Sequence, residues 1–167
     1  MLSRDLFLTA LAPAIWGSSY IVTTSLLPGQ SPLLVALLRA LPAGLILLLI
    51  VRQLPPLAWI PKLLVLAALN FSLFWTLLFV AAYRLPGGVA ATLGAAQPLL
   101  VVFFSAYALQ TPIRPTALLA AGLSIVGVAL LVLTPAAALD FWGVLAGLGG
   151  AISMAAGVVL TRKWQPP

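Results

Sequence analysis

Arg39 is the one charged residue that falls inside a long apolar stretch of this chain. A charge within a membrane costs roughly 2.5–3.5 kcal/mol on insertion scales and by default marks function. Two readings stay open for it. Arg39 faces a cavity, where it attracts a carboxylate or gates the outer mouth, or it bonds helix-end carbonyls or a neighbouring helix and fixes packing. Aromatic residues at helical spacing provide a second signal. Phe71, Trp75, Phe79 and Tyr83 recur at i+4, while Trp16, Ser19, Tyr20 and Thr23 share one face at i+3/i+4. Such rings would stack on a planar side chain, and the polar groups among them would orient it. The plainer alternative is that these stripes face lipid or core, with Tyr83 in an interface belt. Gln97, followed by Pro98, adds an amide and a kink near mid-membrane, and Pro42 does the same near Arg39. The candidate cavity set is therefore Trp16, Ser19, Tyr20, Thr23, Arg39, Phe71, Trp75, Phe79 and Gln97.

Much chemistry is absent. The chain has no Cys, no His and no Glu, and its only acids are Asp5 and Asp140. Thiolate and imidazole catalysis, zinc sites and paired carboxylates are thereby excluded within it. It is read as a non-enzyme that needs no metal or cofactor. Its net charge of +6 comes from eight basic residues placed mostly singly, which make no nucleic-acid patch.

The elements that hold these residues follow from composition. Of 167 residues 63% are hydrophobic and 6% charged, with a mean hydropathy of +1.22. A soluble domain carries roughly a quarter charged residues, so lipid is the solvent that fits this surface. Pro, Gly and single charges cut the chain into six apolar lengths near 6–27, 33–51, 63–83, 88–109, 116–133 and 141–160. Each approaches the roughly 20 residues a helix needs to cross hydrocarbon, and backbone satisfaction in lipid makes them helices. The first is too long for a signal-peptide core and is read as a retained helix. With the N-terminus inside, Arg4, Arg52, Lys62, Arg114, Arg162 and Lys163 lie on the cytoplasmic side and Arg84 alone lies outside. The fold class is thus all-α, a polytopic transmembrane protein of six spans, N-in and C-in.

Small residues mark close helix seams at Gly87, Ala91 and Ala95 and at Gly143-x-x-x-Gly147, continued by Ala151 and Ala155. These seams either pack statically or let helices rock. Ala14–Ser19 of the first helix is also echoed by Ala151–Gly157 of the sixth. If the sixth helix opens a second unit, each unit has five helices, and an odd count inverts the second one. The two units then divide as 1–134 and 135–167, the latter being one helix and the start of a following loop. Similar composition in two small-residue helices would produce the same echo.

Trp16-Gly17-Ser18-Ser19-Tyr20, Pro32 with Leu38-Arg39-Ala40, Gly87-Gly88-Val89-Ala90-Ala91, Gln97-Pro98-Leu99 and Gly122–Leu131 resemble the drug/metabolite transporter superfamily. More narrowly the pattern is similar to its EamA-type members, above all to bacterial exporters of aromatic amino acids. One departure is the loop Gln110-Thr111-Pro112-Ile113-Arg114, where that family often carries Gly-Glu. The resemblance implies ten helices in two inverted repeats, alternating access, and the bacterial inner membrane as location. It further implies export of an amino acid, related metabolite or drug, with a C-terminal half or second chain and membrane lipid as partners. A drug or nucleotide-sugar carrier and a non-transporting membrane assembly subunit are the alternative functions. No expected span contains Asp, Glu, His or Lys, so uncoupled transport is expected.

Overall fold

The computed structural model describes residues 2–132 and 140–165. The expected unit boundary at 134/135, the end of the fifth span at Leu133 and the terminal Pro166-Pro167 lie outside them. The helices are α1 (Leu2–Leu26), α2 (Pro32–Val51), α3 (Ile60–Ala67), α4 (Phe74–Arg84), α5 (Gly87–Gly94), α6 (Gln97–Leu109), α7 (Pro115–Val132) and α8 (Phe141–Trp164). A π turn, Ala68–Leu73, joins α3 to α4 in one continuous rod. Among the described residues there is no strand.

Five stretches are long and apolar enough to cross a membrane: Asp5–Leu26, Pro32–Val51, Leu57–Arg84, Gly87–Leu109 and Phe141–Trp164. In α7 a shorter apolar run, Pro115–Gly127, occupies the expected fifth span. The chain is a polytopic membrane protein. The third span starts earlier than hydropathy places it, at a 3-10 turn over Leu57–Trp59. Lys62 is thereby drawn into it, with its ammonium 5.0 Å from the Trp59 ring centroid. An amphipathic pair of that kind suits the membrane interface.

The turns follow local chemistry. Gly29 takes φ 72, a left-handed conformation that costs glycine nothing, and Pro32 begins α2 at a position with no N–H to satisfy. Arg52 and Gln110 close α2 and α6 in the left-handed region. α2 runs unbroken through Pro42, whereas the Gln97-Pro98 step splits the fourth span at Ala95-Ala96. The Ser124 hydroxyl of α7 donates to the Ala95 carbonyl at 2.9 Å, satisfying a backbone acceptor at that break.

α8 is the centre of the bundle, packed on α4, α5 and α6. Its buried residues are nearly all small: Gly143, Ala146, Gly150, Ala151, Ser153, Ala155 and Gly157. A Cβ on Gly147 would stand 2.9 Å from Leu93 Cδ1, and one on Gly157 would collide with the Asn70 amide. Close backbone approach is what these positions supply. Ala81, Leu85, Val89, Ala90, Leu93 and Ala146 form one core cluster, and Val35, Ala36 and Phe79 a second.

Candidate functional site

Arg39 sits seven residues into α2, about 10 Å along its axis at 1.5 Å per residue. There its Nη1 donates to Ser19 Oγ of α1. Its guanidinium carbon lies 4.9 Å from the centroid of the Trp75 ring of α4. Both of the open readings thus have a physical counterpart: Arg39 ties α1, α2 and α4 together, and it also lines a cavity. Among the described residues the Ser19 contact is its single hydrogen bond, so most of its five N–H donors remain for a ligand or water.

That cavity is about 860 Å³, and its lining runs as far as Leu63 and Thr161, the chain neighbours of Lys62 and Arg162. Trp16, Phe71, Phe74 and Trp75 give it aromatic walls, Asn70 gives an amide, and α8 contributes Met154 and Thr161. Phe71 and Trp75 meet edge to face at 5.5 Å and 84°. A second cavity of about 250 Å³ lies toward the Arg84–Asp140 end, lined by Tyr20, Leu78, Ala91, Gly94, Gln97 and Gly150 among others. Trp16 and Phe74 belong to both linings.

The nine expected site residues therefore divide. Trp16, Arg39, Phe71 and Trp75 come together in the larger cavity, with Ser19 behind Arg39. Tyr20 and Gln97 line the smaller one. Thr23 is buried at 2% exposure, outside both linings. Phe79 is buried to the same degree against Val35 and Ala36, away from either cavity. Tyr83 donates its hydroxyl to the Leu27 carbonyl at 2.6 Å and pins the α1–α2 turn. Asn70 and Phe74 were outside the expected set. A lone amide in an apolar span was signal enough for the first; the second depends on a turn that the sequence does not announce.

The π turn places both. Leu69's carbonyl accepts from Ser153 Oγ of α8 at 2.8 Å, and Asn70 Nδ2 donates back to the Leu66 carbonyl at 2.9 Å. Side chains thus serve the irregular backbone, as lipid requires, and π turns occur often at functional sites. At the opposite end Asp140 caps α8, accepting from the Gly143 N–H at 2.7 Å, and pairs with Arg84 at 3.2 Å. The Gly143 N–H first, then Arg84, holds the Asp140 carboxyl below its ordinary range.

The EamA-like transporter family model matches residues 4–133. The chain belongs to the EamA-like transporter family. It is 48% identical over 156 residues, 93% of its length, to "Protein PecM" of Dickeya dadantii (strain 3937), covering 52% of that protein. It is 31% identical over 169 residues to "Uncharacterized transporter YvbV" of Bacillus subtilis (strain 168), covering 96% of the chain and 54% of the relative. The chain thus spans about half the length of the curated relatives it matches. No solved structure matches it.

Proposed function

We propose that this chain is the N-terminal part of a ten-helix carrier that exports amino acids with aromatic or large apolar side chains, and related metabolites or drugs, by alternating access. The observation that carries the reading is the larger cavity, where the Arg39 guanidinium stands beside Trp75, Phe71 and Trp16. A cation of that geometry pairs with a carboxylate, and the rings offer faces and edges for a planar side chain. The volume of about 860 Å³ also suits a small-molecule ligand.

In this reading residues 1–134 are the first five-helix repeat, and residues 135–167 open the second, inverted one. A covalent continuation or a second chain supplies the remaining helices and the far wall of the cavity. The half-length match to both relatives supports such a continuation. The six-to-one bias of Lys and Arg orients both termini to the cytoplasm, with the bacterial inner membrane as the location.

The test uses the complete protein in liposomes. Vesicles preloaded with labelled phenylalanine, tyrosine or tryptophan are expected to release them saturably, with mutual competition. Release indistinguishable from empty liposomes for all three, with exchange of a sugar nucleotide or a planar cation instead, would overturn the substrate assignment. No movement of any solute, with the purified protein still binding partner helices, would favour an assembly subunit.

A further inference from the structure

We infer that the edge-to-face pair Trp16–Phe74 is the gate between two half-channels, a role that rests on the alternating-access reading above. The two rings lie 6.2 Å apart at 88°. They are the only residues shared by the linings of the two cavities among the described residues. On one side lie about 860 Å³ bordered by Leu63, Val158 and Thr161, near the cytoplasmic basic residues Lys62 and Arg162. On the other lie about 250 Å³ bordered by Tyr20, Ala81 and Ala90, near Arg84. With the N-terminus inside, the first lies on the cytoplasmic side of the rings and the second on the outer side. The rings are the partition.

Two further observations suit a partition that moves. Phe74 directly follows the π turn Ala68–Leu73. Exchange between π and α hydrogen bonding shifts the register by one residue, which is about 100° of rotation at 3.6 residues per turn. Phe74 then swings away from Trp16 while α3 keeps its place. Trp16, by contrast, is 41% exposed, whereas Phe74 is 5% exposed.

The absence of cysteine in this chain makes the test direct. Single replacements Met154→Cys and Ala91→Cys are made in the complete protein, with any cysteine elsewhere changed to serine. The membrane-impermeant thiol reagent MTSET is applied to inside-out and right-side-out vesicles. Met154→Cys is expected to react from the cytoplasmic face and Ala91→Cys from the outer face, each at least tenfold faster than from the opposite side. Adding Trp16→Ala or Phe74→Ala should raise the slow-side rate about tenfold and leave the fast-side rate unchanged. Trp16→Phe, which keeps a ring, should stay near the parent. Slow-side rates that remain within twofold of the parent in Trp16→Ala would overturn the gate, as would equal reaction from both faces in the parent. Trp16→Ala carries the result if Phe74→Ala does not fold, because Trp16 is the exposed partner. Labelling needs no substrate. A protein that moves no amino acid yet labels as expected keeps the gate and loses the substrate assignment; the converse keeps the substrate and loses the gate.

Discussion

Arg39 carries a full charge into hydrocarbon and meets it with one hydroxyl and one ring face, Ser19 and Trp75. Hydrogen bonds to charged groups contribute about 1.5–3 kcal/mol. On the proposed substrate reading, removal of the guanidinium from the cavity is therefore expected to lower transport efficiency about tenfold or more. Arg39→Ala should do this through KM, measured as efflux from loaded liposomes and normalised for abundance. Arg39→Lys should recover only part, since it retains the charge and loses the planar fork that can hold Ser19 with donors to spare. Wild-type kinetics in both would leave Arg39 a packing residue. Asp140 gives the other residue-scale expectation. Its carboxyl titrates below the ordinary range in the folded protein, so the stabilisation is present above the unfolded-state pKa and is lost as pH falls through the lowered folded value. The melting temperature in detergent should stay level near neutrality and drop on strong acidification. Asp140→Asn should flatten that acid limb while retaining a cap acceptor.

At the scale of the element, the rod Leu57–Arg84 decides which of its side chains line the larger cavity. Its apolar length was legible, because hydropathy reports directly what lipid selects. Its π turn was not. Ala68–Leu73 contains neither Gly nor Pro, and what makes the turn tolerable is the Ser153 hydroxyl on Leu69, 84 residues away in sequence. An i+4 ladder assumes constant pitch, so the sequence alone puts the aromatic stripe on one slowly drifting face. In the folded chain Phe71 and Trp75 reach the cavity, whereas Phe79, after further drift, packs on α2. The Gln97-Pro98 break was legible, because proline removes a donor wherever it lies; its satisfaction by Ser124 was not. Close contact between the π turn and α8 yields a further expectation. Gly157→Ala would force the Asn70 amide out of its place and off the Leu66 carbonyl. Overpacking of this sort costs about 1–3 kcal/mol. The melting temperature should fall, and Asn70→Ala in the same chain should restore part of it; additive losses would show that the two residues are not in contact.

At the scale of the whole molecule, the described spans hold no buried acid, and Lys62 lies at the interfacial end of its span beside Trp59. The acid in a described span, Asp5, is exposed and stands at its very first residue, so efflux is expected to persist when a protonophore collapses the proton gradient. Abolition by the protonophore would place coupling in the remaining helices. The number of spans and the basic asymmetry were readable from sequence, because both are linear properties of the chain. The relative depth of the helices was not, since it depends on which small faces find each other. Half of α8 is buried within this bundle, against 7% of α1. A chain stopped at residue 132 would therefore expose Leu85, Val89 and Leu93, and should melt lower and aggregate in detergent relative to residues 2–165.

Burial of α8 at the heart of the bundle has a consequence for biogenesis. Helices enter the bilayer one after another from the ribosome, yet α4, α5 and α6 acquire their shared neighbour only when α8 arrives, after α7 has been inserted. Until then the faces that α8 covers stay open to the bilayer. A translational pause just ahead of Phe141 would hold an open, protease-sensitive intermediate in the membrane, and its closure would mark the moment of folding.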